Sequence, residues 1–391
     1  MNTPGNKILL VFSIFMARIA LCICRLTHSG GTNVPGIVAV FLCPDIFTHL
    51  VKGKDTIVVT GTNGKTTTTA MIRHIFSAQG IPVISNKEGA NLDSGLVSAF
   101  LKRCDYKGST PEKIAVLECD EKWVPRVFQD VKPNILVITN LTEDQLDRTG
   151  GPEVIYQSLL SYAKKSSVDL CINIACPISS RFHEEDLRNR IISFSAKGCD
   201  VSVDGASYHI HLPISGNYNY ENAAAAAAAC IPFHIPAEAS LNALKDFHAP
   251  FGRMETFFLD GVPVTICLCK NAVSTNNVLN YIEERKFDAQ VILCFNANRG
   301  DGADRTWIQR IDFHTGMTCL HNVIAGGACA EEIIHALQHA GYSCRHAKGT
   351  DSIISLIQAS TKPVFLIVSA SYLLEIRKVI AKKGYLDDFW K

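Results

Sequence analysis

Residues Asp55–Gly80 read DTIVVTGTNGKTTTTAMIRHIFSAQG. An apolar, β-branched run, TIVVT, meets the glycine turn GTNG and then a helical segment closed by Gly80. That order predicts strand, turn and helix. The turn carries the Gly-x-x-Gly-Lys-Thr ending of a phosphate-binding loop. Backbone N–H groups at a helix start can wrap phosphate oxygens, and the helix dipole favours the anion. The pattern assigns Gly61, Thr62, Asn63, Gly64, Lys65, Thr66 and Thr67 to nucleotide binding. Lys65 brings a point charge towards the β- and γ-phosphates. Thr66 offers a hydroxyl to Mg²⁺, with Thr67 as its neighbour.

Outward from this loop, strands and helices alternate. IPVISN (81–86), KIAVLECDE (113–121) and NILVITNL (134–141) read as strands separated by helical stretches. Alternation of this kind implies a parallel sheet with ligands at the strand C-termini. Glu118 ends the second of these runs and takes the place of a magnesium-facing acid, with Asp120 and Glu121 as possible helpers. Mg²⁺ takes hard oxygen ligands and retains waters. Asn140, Asp144, Gln145, Asp147 and Arg148 fall on the same edge. A helix is expected over 153–165, short antiparallel strands over 191–213, and a helix around the seven alanines Ala223–Ala229. A second α/β unit is expected from near Gly252, with strands VPVTICLC, AQVILCF, HNVIAG and PVFLIVSA. Its helices are placed at Asn276–Glu284, Ala330–Ala340, Ser352–Ala359 and Leu373–Lys382. The resulting division is an N-terminal apolar segment 1–50, a central ATP-binding domain 51–249 and a C-terminal α/β domain 250–391.

Composition narrows the function classes. The 391 residues carry 38 Lys+Arg against 37 Asp+Glu, a formal charge of +1, so no global field points to nucleic acid. The 15 cysteines form no CxxC pair, and several sit in strand-like runs such as VTICLC and VILCF. They read as small buried hydrophobes rather than disulfides or zinc ligands. Near the N-terminus, Lys7 precedes ILLVFSIFMARIALCIC, which Arg18 interrupts and Arg25 closes. This reads first as a helix packed on the body, and second as one lying against a membrane surface. A signal peptide or spanning anchor is the least favoured reading.

TGTNGKTTT, the strand ending in Glu118, TNL with DQLDR, GNYNYENAAAAA and FGRME together resemble the Mur ligase family. Within it, the chain is similar to the MurT-type subunit of lipid II isoglutaminyl synthase. That likeness rests on Gln145, where many Mur ligases carry histidine, and on NANRGDGADRTWIQRIDF, Asn296–Phe313. GGTNVPG, KEGANLDSG (87–95) and Lys270-Asn271 fit as well.

The resemblance implies an α/β fold: a Mur ligase-like central P-loop ATPase domain with a second, Rossmann-like α/β C-terminal domain. It implies ATP-dependent amidation of the D-glutamate α-carboxylate of lipid II through an acyl phosphate. ATP and Mg²⁺ would serve the ligase, and ammonia would come from a GatD-like glutaminase partner. The setting would be cytoplasmic, at the inner face of the membrane, with a lipid-linked peptidoglycan precursor as substrate. Lys65, Glu118, Arg253 and Glu332 become catalytic candidates, Thr66 and Glu118 metal ligands. Asn219, Asn222, Arg253 and Asp301 join the nucleotide side, while Asp301, Asp304 and Asp312 shape the substrate side. For Asp312 a structural role stands equally open.

The departures cluster away from the loop. The family's four-cysteine zinc ribbon has no counterpart, because residues 192–213 hold only Cys199, and zinc is not expected. In the C-terminal pattern, Cys329 stands for an arginine and Glu332 for an aspartate that supports the glutaminase. Lys270–Ser274 (KNAVS) and SASYLLEIR (369–377) also depart. Two alternatives therefore remain: a divergent ligase for another carboxylate or amine, and a nucleotide-binding subunit that does not ligate.

Overall fold

The computed structural model describes residues 4–26, 33–86, 91–142, 150–214, 216–248, 250, 252–298, 301, 304–313 and 317–385. The chain divides into two compact units between Phe247 and His248, with Ile214–Asn217 grouped with the second.

The first unit opens with three helices, α1 (Pro4–Leu26), α2 (Val34–Leu42) and α3 (Ile46–Val51). There follow β1 (Asp55–Thr60), α4 (Lys65–Ala78), β2 (Val83–Ile84), α5 (Asp93–Leu101), β3 (Ile114–Glu118), α6 (Val124–Val127) and β4 (Ile135–Ile138). Then come α7 (Pro152–Lys165), β5 (Asp169–Asn173), α8 (Pro177–Ser180), β6 (Ile191–Lys197), β7 (Asp200–Val203) and β8 (Ala206–His209). Helices α9 (Asn217–Cys230) and α10 (Ala237–Ala243) complete it. The strand order is β2-β3-β1-β4-β5-β6-β7-β8, parallel from β2 to β6 and antiparallel beyond. β1 lies between β3 and β4, so chain order reverses beside it and a crevice opens at its C-terminal end. Helices cover such a parallel sheet on both faces, which is why β3 and β4 are buried along their whole length and read as continuous apolar runs.

Helix α9 explains its alanines. Ala223–Ala229 are all 0% exposed. A helix buried all round needs side chains small enough for close approach, and Ala also has the best helix propensity. The N-terminal helices belong to the same core: Ile14, Ile46, Phe47 and Leu50 pack in one cluster with Val58, Leu117 and Leu136. The packing of α1 on the body holds along one stripe only, and its other face is exposed.

The second unit runs β9 (Arg253–Leu259), β10 (Val262–Leu268), α11 (Ala272–Glu284), β11 (Gln290–Cys294), β12 (Val323–Gly326), α12 (Ala330–His339), β13 (Cys344–His346), α13 (Thr350–Gln358), β14 (Val364–Val368) and α14 (Ala370–Lys382). Its sheet has the order β13-β12-β11-β14-β10-β9, parallel except for β9. Counted from β11, the run β13-β12-β11-β14 has the order 3-2-1-4 of a doubly wound sheet; the order departs from the 3-2-1-4-5-6 pattern beyond β14, where β10 and antiparallel β9 come earlier in the chain than β11. Sequence reading gave no strand at β9. The two-residue turn Asp260-Gly261, with φ of 50° and 83°, is a type I′ hairpin signal that would have found it. Helix α11 begins earlier than expected because Asn271 and Ser274 form a capping box.

All 15 cysteines are free thiols, and most are buried in these cores.

Candidate active site

The phosphate loop is held by the end of β4. Thr62 N–H donates to Asn140 O at 2.9 Å, and Asn63 N–H to Asn140 Oδ1 at 3.0 Å. Asn140 Nδ2 returns a bond to Asn63 O at 3.2 Å, and Thr139 Oγ1 donates to the same oxygen at 2.6 Å. Gly61 passes so close that a Cβ would lie 2.3 Å from Thr139 Oγ1. Gly64 takes φ +86° to start α4, and a Cβ there would lie 2.3 Å from Asn222 Oδ1. No side chain caps α4. Its uncapped N-terminus therefore presents the positive end of the helix dipole to whatever the loop holds.

Asn222 and Asn219 come from α9. Asn222 Oδ1 accepts from Thr68 Oγ1 at 3.3 Å, and its Nδ2 donates to Asn219 Oδ1 at 3.1 Å. The pair thus braces the loop start from behind. Asn173, at the end of β5, donates to Thr139 O at 2.9 Å and to Glu221 Oε2 at 3.0 Å. Burial pushes the Glu221 carboxyl up, opposed by the Asn173 bond. Sequence reasoning missed both Asn173 and Glu221, although Glu221 lies between the two motif asparagines.

Lys65 is 5% exposed. Its Nζ donates to Gly61 O, to Thr62 O at 3.3 Å and to Glu121 Oε2 at 3.1 Å. Of the two helper acids, Glu121 meets the lysine. Asp120 instead accepts from Lys122 N–H at 3.2 Å and shapes the turn into α6.

Glu118 ends β3 opposite Val59 of β1. Asn86 clamps its backbone from both sides, donating to Glu118 O at 2.8 Å and accepting from Glu118 N–H at 2.9 Å. Asn86 was another residue missed; the signal was a polar side chain closing the apolar run IPVIS. The Glu118 carboxylate is 4% exposed and makes no hydrogen bond or ion pair with a described residue. A nearly buried carboxylate without a protein partner is a fitting ligand for a hard cation. Thr66, half-buried at the first turn of α4, offers the hydroxyl. Among the described residues no group of three or more His, Cys, Asp or Glu is arranged to hold a metal. A cation here would share its shell with phosphate oxygens and water, as Mg²⁺ does. Asp144, Gln145, Asp147 and Arg148 lie outside the described residues.

The second unit gathers its own polar group at the C-terminal ends of β11 and β14. Asp301, 7% exposed, accepts from Ser371 N–H at 2.9 Å and from the Ser371 hydroxyl. Asn296 and Asn298 donate to Ser371 Oγ at 3.1 and 3.2 Å. Arg253 heads β9, and its Nη1 donates to Leu268 O at 3.3 Å. Asp304 accepts from Thr306 Oγ1 at 2.6 Å and Thr306 N–H at 2.8 Å, bonds that hold its carboxyl below the usual range. It is a turn-capping residue. Asp312 donates its backbone N–H to Asn276 Oδ1 at 2.9 Å and is exposed. Glu332 opens α12 and accepts from Arg305 Nη1 at 2.7 Å. Burial works against its charge, but the Arg305 bond and its own backbone N–H outweigh burial and hold the carboxyl below its usual range. Asn271, buried, accepts from Ser274 N–H at 2.8 Å as the helix cap.

Comparison with known proteins adds to this geometry. The Mur ligase middle domain matches residues 59–230, and the MurT ligase C-terminal domain matches residues 268–372. The chain is 28% identical over 379 residues to the lipid II isoglutaminyl synthase (glutamine-hydrolyzing) subunit MurT of Staphylococcus aureus (strain COL), covering 82% of this chain and 86% of that one. It is 27% identical over 420 residues to the subunit of the same name from Streptococcus pneumoniae (strain ATCC BAA-255 / R6), covering 90% and 93%. Among solved structures, MurF from Acinetobacter baumannii superposes with a TM-score of 0.68 at 16% identity, over 89% of this chain and 80% of that one. MurC from Thermotoga maritima gives 0.62 at 20% identity, over 85% and 76%. At these identities the structural likeness speaks for the fold.

Proposed function

Because the chain belongs to the Mur ligase family, with a Mur ligase middle domain and a C-terminal domain of MurT type, we propose that it amidates the D-glutamate α-carboxylate of lipid II. The family makes it an ATP-dependent ligase. The observation that carries the reading is the buried Lys65 under an intact phosphate loop, together with the buried Glu118 carboxylate, which has no partner among the described residues. The activity for which the Staphylococcus and Streptococcus relatives are named supports the choice of substrate.

The reaction has two steps. A substrate carboxylate oxygen attacks the γ-phosphorus of ATP, the bond to the bridging oxygen breaks, and ADP leaves. Ammonia then attacks the acyl carbon with its lone pair, phosphate departs, and the nitrogen loses a proton. Lys65 and the N-terminus of α4 stabilise charge on the transferring phosphoryl group. Glu121 pairs with the Lys65 ammonium until a phosphate competes for it. Thr66 and Glu118 would hold Mg²⁺, whose charge offsets that of the phosphates. Asn86 fixes the backbone from which Glu118 projects.

Ammonia would come from a GatD-like glutaminase, with Glu332 at the start of α12 as the partner-facing acid. Its Arg305 bond keeps that carboxylate ionised. A lipid-linked precursor would put the enzyme in the cytoplasm, at the inner membrane face. A second reading, a ligase for another carboxylate or amine, is favoured by β6–β8, which stand with Cys199 alone where the resembling family carries its ribbon.

The test is ATP turnover by the purified chain with Mg²⁺, ammonium and lipid II, read as phosphate release and as the mass of the product. Conversion of carboxylate to amide is expected. If lipid II leaves turnover and product mass unchanged while another acid stimulates turnover, the second reading replaces the first.

A further inference from the structure

Helix α1 is apolar on two opposite faces. Leu10, Ser13, Ile14 and Ala17 are buried against the first unit. The outer stripe Ile8, Phe12, Phe15, Ile19 and Ile23 follows helical spacing and is 39–71% exposed. Helix α2 continues the surface with Val34, Ile37 and Phe41, exposed by 40%, 55% and 84%. A surface helix of a soluble body normally turns a charged face outward. Scattered exposed hydrophobes are ordinary, but eight large ones on two helices packed against each other call for a cover.

The helix is fixed along the body. Residues Lys7–Cys24 are long and apolar enough to cross a bilayer. Yet Arg18 donates to Cys104 O, and its guanidinium lies 4.4 Å over the Tyr106 ring. The Leu10 and Ile14 side chains reach Gly108, within 3.9 and 3.6 Å of where a Cβ would stand. Spanning would strip all of these contacts from the core.

Charge selects the cover. Before Asp45 the sequence carries Lys7, Arg18 and Arg25 and no acidic residue. Exposed Lys7 borders a shallow apolar groove lined also by Ile8, Val11, Phe12, Phe15 and Tyr106. Basic residues beside aliphatic and aromatic side chains are the composition of an interfacial helix on anionic lipid. Tyr106, 56% exposed at the margin, suits the headgroup level, where aromatic rings with a polar tip settle.

We propose that α1 and α2 form a monotopic docking surface for an anionic lipid bilayer, with α1 lying in the headgroup–acyl boundary. The inference goes beyond the amidation reading, because docking needs neither ATP nor lipid II.

The experiment is flotation of the full chain with phosphatidylglycerol–phosphatidylcholine vesicles, without nucleotide. The wild type is expected to float, and less well with phosphatidylcholine alone or in high salt. The triple variant Phe12→Ser/Phe15→Ser/Phe41→Ser should lose about tenfold or more of its binding. It should keep the wild-type melting temperature and ATP binding, since the three rings face outward. A wild type that stays with the soluble fraction overturns the proposal, as does a variant that floats equally well. Sedimentation equilibrium without lipid supplies the remaining arm. A dimer that the triple variant abolishes would assign the patch to a second copy of the chain and overturn the lipid assignment.

Discussion

Lys65 and Glu121 form a buried ion pair: Nζ lies 3.1 Å from Oε2, and both side chains are 5% exposed. The charge assigned to ATP phosphate is thus already neutralised by protein. Removing one partner strands the other, at a cost of about 3–5 kcal/mol. Lys65→Met should therefore lower both stability and turnover, the latter by about 10²–10³-fold. The double variant Lys65→Met/Glu121→Gln separates the two effects. It should regain most of the melting temperature while phosphate release stays lost. A double variant that turns over ATP at the wild-type rate would remove Lys65 from the chemistry.

Gly64 and Gly80 share positive φ, +86° and +70°, but differ in surroundings. A Cβ at Gly64 meets Asn222 Oδ1 at 2.3 Å, whereas nothing lies within 4 Å of one at Gly80. Gly80→Ala should cost only backbone strain, about 1–2 kcal/mol. Gly64→Ala should cost more and also weaken ATP binding, because the Asn222 brace must move. Denaturant unfolding and nucleotide titration of both variants check this. Equal losses in the two would contradict a steric role for Asn222.

Glu118 is buried without a described protein partner. Glu118→Gln should leave the melting temperature of the nucleotide-free protein nearly unchanged. The Mg²⁺ concentration for half-maximal turnover should rise by about tenfold or more. An unchanged Mg²⁺ titration would mean that the carboxylate serves something other than the cation.

How much of this was legible depended on how local the signal was. The β1–loop–α4 unit was readable because one short segment contains the strand, both glycines and the lysine. Glu118 was readable as the acid closing an apolar run. Choosing between Asp120 and Glu121 was not, since which of two adjacent acids points at Lys65 depends on the turn into α6. Asn86 acts on Glu118 across 32 residues of sequence, and no local pattern announces such a clamp. The insertion of β14 between β11 and β10 is likewise a non-local choice. The hairpin at Asp260-Gly261 was locally encoded, but the alternation in METFFL is weak: Phe258 is 64% exposed while Phe257 is buried.

The thiols offer a count. Cys22 is exposed, Cys24, Cys199 and Cys344 are intermediate, and the rest are buried. Burial pushes the Cys344 thiol up to about 11, and Cys230, Cys269 and Cys294 up to about 12. The thiolate is the reactive form. At pH 8 an aromatic disulfide reagent should modify Cys22, Cys24 and Cys199 first and Cys344 slowly. The remaining thiols should react only after unfolding. Rapid reaction of all 15 under native conditions would contradict the buried cores.

The Arg305–Glu332 pair sets a pH dependence. The Glu332 carboxyl is held below its ordinary value, with burial opposing the shift and the Arg305 bond outweighing it. A depressed carboxyl stabilises the fold above its unfolded value, about 4.3 for glutamate. That contribution fades as pH falls from there through the folded value. The Glu332 side chain is 29% exposed, so solvent screens the pair and the effect is small. Melting temperatures of wild type and Glu332→Gln should differ at neutral pH, with the wild type higher. The two curves should converge as the pH drops below about 4. A gap that persists unchanged in acid would show that Glu332 stabilises α12 through packing rather than through its charge.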